Sequence, residues 1–353
     1  MPTIELQQVK CPNCGANISQ FNRFRQTLEC PYCHSTLQNP EAYAVKRDMP
    51  QPEFIIPFKT ADYDFGKNLL QALVKRKYVP TDIFTYMRTE DVFKAFLPMF
   101  LYDGNYTASW NGHVDEKYQE NNETKTRRRY VNGNANGTYS FMCLAYEGEE
   151  VPKELREFAK LMEFDHSNAQ YFSPDVFAQE TDDFMTVEVN VEKLAVWSHV
   201  GEQELQRQVD EGVHRAAGSD VDDIQYTMSY TPNSDGRLVL VPFWFIYYNY
   251  RDEKHYFIMD GLGQRRDLSA PVNMEEKHEI NKYNWSMWST LIVAIIGIIM
   301  LVAKVQAGSP VLIAGAVAFA AALIVYLVRR HNILSASEKI RDAGANLFLQ
   351  QQQ

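Results

Sequence analysis

Cysteine is scarce in this chain, with five in 353 residues, and four of the five lie close together near the start. A disulfide framework would spread its cysteines through the sequence, so this distribution excludes one and points to a metal site. The fifth, Cys143, sits in the apolar run Tyr-Ser-Phe-Met-Cys-Leu-Ala-Tyr and reads as a small buried residue. A basic excess is also missing. Thirty-five Lys and Arg against 45 Asp and Glu give a formal net charge of −10. That argues against a nucleic-acid binder working by bulk electrostatics.

The opening residues Met-Pro-Thr-Ile-Glu-Leu-Gln-Gln-Val-Lys hold no basic stretch followed by an apolar one, so no secretory signal is expected here. The glycosylation-like triplets at Asn17, Asn105, Asn122 and Asn136 are then chance matches. Nor is there a catalytic constellation. The eight histidines are scattered without metal spacing. Gly261-Leu-Gly263 follows a strand but precedes no phosphate-binding helix, and reads as a turn. Arg127-Arg128-Arg129 is the densest basic run and reads as a solvated hairpin strand, with contact to anionic lipid or nucleic acid as the sharper alternative. The expectation is a protein that is not an enzyme.

What is present begins with Cys11-Pro-Asn-Cys14-Gly15 and Cys30-Pro-Tyr-Cys33. Two C-x2-C pairs at this separation have the spacing of a structural zinc site. Each pair can form a tight knuckle that grips one ion. Two knuckles complete a tetrahedron with Zn–S bonds of about 2.3 Å. Gly15 suits the turn after the first knuckle, where a positive φ is often needed. A segment this small cannot bury enough core to fold alone, so the metal is expected to supply the folding free energy. Residues 1–37 are therefore expected to form a zinc ribbon holding one structural Zn2+ on Cys11, Cys14, Cys30 and Cys33. His34, next in sequence, is expected to be a bystander.

Residues 38–52 are rich in proline and polar side chains and read as a linker. Residues 53–280 read as an α+β domain. Helical periodicity is seen at Asp64–Lys77, Glu149–Phe164 and Glu202–Ala217, the last with Leu205, Val209, Val213 and Ala216 on one stripe. Aromatic and β-branched runs predict strands at 54–58, 92–103, 105–110, 128–131, 138–146, 184–191, 224–231, 238–250 and 255–259. Locally connected strands imply a mainly antiparallel sheet. Phe96-Leu-Pro-Met-Phe-Leu-Tyr and Leu240-Val-Pro-Phe-Trp-Phe-Ile-Tyr look alike, which suggests two related halves, each proline marking an edge or bulge.

Near the end come two uncharged apolar runs, 287–303 and 310–328, separated by a short connection with Lys304. Each, with its flanks, approaches the 20 or so residues that cross a bilayer. Trp285, Trp288 and Tyr326 sit where interfacial aromatics belong. Residues 285–330 are expected to form a transmembrane helical hairpin, with Gly297, Gly315, Ala318 and Ala322 allowing close packing. Lys277, Lys282, Arg329, Arg330, Lys339 and Arg341 flank it, so both termini are expected on the cytoplasmic side of a cell membrane crossed twice. Residues 331–353 read as a cytosolic tail, with Ile333, Leu334, Ile340 and Leu347 on a loose helical stripe.

Taken together, the Cys-Pro-x-Cys-Gly ribbon, the Ile56-Pro57-Phe58 strand, the Leu240-Val-Pro-Phe-Trp strand and the late apolar hairpin resemble bacterial transcription-factor-IIB-type zinc-ribbon membrane proteins, including the phage-shock-associated membrane-anchor type. The resemblance covers most of the chain, but only the ribbon motif is sharp. It implies a membrane-bound recruiting platform with Cys11, Cys14, Cys30 and Cys33 as ligands and no catalytic residues. The implied partners are the lipid bilayer and proteins, either phage-shock-type proteins or further copies in a homo- or hetero-oligomer. A membrane-tethered nucleic-acid-binding or transcription- or replication-related protein is the alternative.

Overall fold

The computed structural model describes residues 3–18, 27–30, 32–38, 40–59, 61–90, 92–120, 123–175, 177, 185–232, 236–302 and 308–351. The chain divides into two compact units. One comprises residues 1–59, 93–244 and 258–265, the other 60–92, 245–257 and 266–353. Both are mixed α and β with mainly antiparallel pairing.

In the first unit, Thr3–Lys10 pairs antiparallel with Asn17–Ile18 and with Ala44–Pro50. The second pairing corrects the reading of 38–52 as a linker: Pro40–Tyr43 forms a 3-10 turn, and Ala44–Pro50 is strand across its whole length. Pro40 falls at the start of the turn and Pro50 at the end of the strand, where a missing N–H costs little. Met49 and Leu6 are buried in the same core as Phe96 and Phe100, which holds the strand in place.

Phe93–Glu120 and Glu123–Leu144 form one long antiparallel hairpin, in register from Met99↔Leu144 to Glu120↔Glu123. The sequence reading broke each strand in two, at Gly104 and within Asn132-Gly-Asn-Ala-Asn-Gly137. The glycines instead lie inside the strands, opposite aromatic rings: Gly104 pairs Tyr139, Gly133 pairs Trp110 and Gly137 pairs Tyr106. A Cβ on Gly133 would stand 2.6 Å from the Trp110 ring, so the ring occupies the space that a side chain would need. On this inner face the helix Glu202–Ala217, predicted to the residue, packs Leu205, Val209 and Val213 into the core of Tyr106, Trp110, Ala135 and Tyr139.

Beside the hairpin, Arg237–Pro242 pairs with Leu101–Phe96, so the two look-alike segments are neighbours in one sheet. Pro242 forms the last rung of that ladder, and Pro98 lies just past the last rung with Glu123–Leu144. The helix expected over 149–164 is shorter, Lys153–Ala159, because Leu161–Glu163 leaves it to pair with Cys143–Phe141. Of the strand expected at 184–191, Met185–Thr186 is formed, and residue 184 lies outside the described residues.

The second unit contains the helices Asp62–Lys75 and Ile83–Tyr86, parts of the hairpin Arg237–Tyr250 and Glu253–Asp260, and two long helices, Met274–Val302 and Gly308–Gln351. The long helices touch at glycines. A Cβ on Gly297 would meet Leu312, and one on Gly315 would meet Ala294, each within 2.6 Å. Among the described residues one helix, Pro310–Gln350, is long and apolar enough to cross a membrane. The other expected span, 287–303, runs into 303–307, which lie outside the described residues.

Residues 331–353 are not a separate short helix. As far as Gln351 they continue the helix that starts at Gly308. The expected stripe is also displaced: Ile340 and Leu347 are exposed, whereas Ser337, Arg341 and Ala345 are buried. Phe84 packs near Gly344 and against Phe348, so this segment lies on the short helix Ile83–Tyr86.

Candidate metal centre

Two similar turns build the site. In the first, Gly15 N–H donates to the Cys11 carbonyl at 2.9 Å and Cys11 N–H to the Ala16 carbonyl at 2.8 Å. In the second, His34 N–H donates to the Cys30 carbonyl and Cys30 N–H to the Ser35 carbonyl, both at 2.9 Å. The residue after each C-x2-C pair has a positive φ, +76° at Gly15 and +57° at His34. The glycine was legible from sequence. The matching demand on His34 was not, because a histidine carries no such signature. Its side chain points out, 3.4 Å from the Glu29 carboxylate and away from the sulfurs.

The turns bring all four sulfurs within 4.8 Å of one another. Cys11 Sγ lies 3.8 Å from Cys33 Sγ, and Cys14 Sγ 3.7 Å from Cys30 Sγ. A tetrahedron with metal–sulfur bonds of about 2.3 Å has edges of about 3.8 Å, so the cluster has the dimensions of a four-thiolate shell. These four cysteines could hold a metal ion, and with all four engaged no coordination position is left open. Val9, Ile18 and Leu37 pack with Cys11 and Cys30 beneath the site. Residues 19–26 and Pro31, within the expected ribbon, lie outside the described residues.

Outer contacts orient the sulfurs, and sequence reasoning missed them. The Ser35 hydroxyl lies 3.1 Å from Cys33 Sγ and 3.6 Å from Cys11 Sγ, and Asn13 Nδ2 donates to Cys33 Sγ at 3.7 Å. The Ser35 hydroxyl and backbone N–H draw the Cys33 thiol down to about 6, so it ionises readily. Burial pushes the Cys30 thiol up, so a cation is needed to stabilise its thiolate. The position of Ser35, two residues past the second pair, is the only signal the sequence offered.

The second knuckle and the strand leading into the first also touch the rest of their unit. Tyr32 donates from its hydroxyl to Glu150 at 3.3 Å, and Gln8 Nε2 donates to Glu188 at 3.2 Å. Burial and the neighbouring Glu150 raise the Tyr32 phenol above its ordinary value, which keeps it a donor.

The other sequence candidates fall elsewhere. Cys143 is fully buried away from the cluster, and burial followed by the Glu204 charge pushes its thiol up to about 12, consistent with an inert core residue. Gly261–Gly263 is a turn, closed by the Asp260 carboxylate accepting from the backbone N–H groups of Gln264 and Arg265. Each arginine of 127–129 has an acidic partner, Glu116 for Arg127 and Arg129 and Asp223 for Arg128. No family model, curated protein or solved structure matches the chain.

Proposed function

We propose that this protein is a membrane-anchored adaptor, in which a zinc-bound N-terminal ribbon and its attached α+β unit gather protein partners at a bilayer. The observation that carries the reading is the apolar surface of the helix Gly308–Gln351. Ile313, Val317 and Ile324 are each more than 60% exposed, an arrangement that water penalises and a hydrocarbon environment does not. The apolar residues of Met274–Val302 face outward in the same way at Ile292 and Ile299, which supports a second span and a hairpin over 285–330. The charge bias of Lys277, Lys282, Arg329 and Arg330 favours cytosolic termini. Reduced, metal-bound cysteines suit that side of the membrane.

Four thiolates around one zinc perform no chemistry on a substrate. Their product is a rigid surface. Pro12, Asn13 and His34 are exposed there and offer a docking edge. Tethering raises the local concentration of any partner without new contacts. No catalytic role is assigned to any residue.

The test is a crosslinked pull-down of the full-length chain from native membranes, compared with Cys11→Ser/Cys30→Ser. The adaptor reading expects the wild type in the membrane fraction with one zinc per chain. It also expects the double variant to stay in that fraction while losing at least one co-purifying protein. A wild-type chain recovered in the soluble fraction, or an unchanged set of partners, would overturn it.

A further inference from the structure

One stretch of the long hairpin's outer face is built from amides and hydroxyls. Along Phe93–Glu120 the outward positions are Asn105, Thr107, Ser109 and Asn111. Opposite them on Glu123–Leu144 stand Thr138, Asn136, Asn134 and Asn132. On the other flank, in register with the first strand, Val221–Pro232 presents Thr231, Ser229, Thr227 and Gln225. All but Asn111 are exposed, and Asn111 is half-buried. The result is a three-by-four array made only of amides and hydroxyls. Charged residues make up 23% of the chain, so an ordinary solvated face of this size would carry about three.

The array has clear borders. At one end Arg237 bridges Asp103 and Glu53. At the other, Arg128 pairs with Asp223. Just inside that border Tyr130, 58% exposed, stands over His113 with ring centroids 5.8 Å apart, on the same outward face. The side chains partly organise one another, with Thr107 and Ser229 hydroxyls 2.8 Å apart and Ser109 donating to Asn134 at 2.8 Å. Many donors and acceptors remain turned to solvent.

The chemistry narrows the occupant. Nucleic acid needs unpaired cations, and the twelve positions carry none, while the bordering Arg128 is paired with Asp223. A membrane or an apolar peptide needs apolar area, which is missing too. A second copy would be self-complementary in hydrogen bonding. However, three strands about 4.8 Å apart and seven residues at about 3.4 Å cover on the order of 300 Å2. That is well below the roughly 800 Å2 per partner of a stable interface. What remains is a flat, neutral, hydroxyl-rich ligand with an apolar ring face to lay on an aromatic. We infer that this face binds a neutral glucan chain, with the Asn, Ser and Thr side chains hydrogen-bonding its hydroxyls and Tyr130 stacking against one sugar ring. The inference needs only the exposed face and is independent of the adaptor reading.

The test is gel retardation of the full chain, held in a detergent without a sugar headgroup, in native gels containing amylopectin or, as a charged control, heparin. Retardation is expected in amylopectin and not in heparin. Asn134→Ala/Asn136→Ala should weaken it by about fivefold for each hydrogen bond lost, and Tyr130→Ala should weaken it by removing the stacking ring. Unchanged metal content and melting temperature in the variants would show that the fold is kept. The inference is overturned if folded wild-type protein passes amylopectin unretarded, if the variants are retarded as strongly as wild type, or if heparin retards it equally. It is also overturned if sedimentation shows a dimer that the same variants break, with no amylopectin effect.

Discussion

Arg341, buried on the helix that starts at Gly308, donates from Nε to the Val74 carbonyl at 3.0 Å and from Nη1 to the Val79 carbonyl at 2.9 Å. Val74 lies in the last turn of Asp62–Lys75, where carbonyls lack partners within their own helix. The arginine therefore caps that helix from a segment far away in sequence. Ser337, one turn earlier, donates to buried Glu276 of the other long helix at 3.0 Å. Replacing Arg341 with Met would leave two buried carbonyls without their donor. At about 1–3 kcal/mol for each unsatisfied group, Arg341→Met should cost roughly 2–5 kcal/mol. Arg341→Lys, with one compact donor, should cost less. Thermal unfolding of the full chain in detergent checks the order wild type, Lys, Met.

Around the metal centre, Ser35→Ala removes the hydroxyl that lies against two sulfurs. Outer-sphere losses of this kind typically weaken metal binding about 10- to 100-fold. Chelator competition on the full chain should place the variant in that range. His34→Gly acts in the opposite direction. It relieves a left-handed residue at a cost of order 1 kcal/mol, so it should hold or raise stability. A His34→Gly chain that binds metal markedly less well would mean that the imidazole has a further role.

Two glycines make a paired test of the packing. Gly133→Ala drives a methyl into the Trp110 ring and should destabilise by about 1–3 kcal/mol. Gly66 lies in the helix Asp62–Lys75 with nothing within 4 Å of its would-be Cβ. Gly66→Ala should stabilise by roughly 0.5–1 kcal/mol. Urea midpoints that shift in opposite directions meet the expectation.

The membrane reading predicts that Val317→Arg/Ile324→Arg releases the chain from carbonate-washed membranes, since each arginine costs about 2.5–3.5 kcal/mol near a bilayer centre. On a soluble protein both positions are exposed, and two arginines would leave fractionation unchanged.

His255 is nearly buried between the Tyr248 ring and Ser269, and burial holds its imidazole below the ordinary value. The unfolded chain then binds more protons than the folded one once pH falls below about 6.5, so this group makes stability fall with acidification through its folded pKa. His255→Phe should flatten that part of the stability-versus-pH curve, read from melting temperatures between about pH 7 and pH 5.

The sequence by itself determined the features set by local chemistry. Two C-x2-C pairs dictated the knuckles and the four-sulfur group, because the spacing of a thiolate pair fixes the turn. The period of Leu205, Val209 and Val213 dictated the helix Glu202–Ala217, because one apolar stripe has one way to face a core. Tertiary structure decided what depends on distant partners. Gly104 and Gly133 read as turn residues until Tyr139 and Trp110 are placed over them. Ala44–Pro50 read as a linker because its strand partner, Thr3–Lys10, lies more than thirty residues earlier. Arg341 carries a charge and so reads as surface. Its burial follows only from the carbonyls of Val74 and Val79, 267 and 262 residues earlier in the chain.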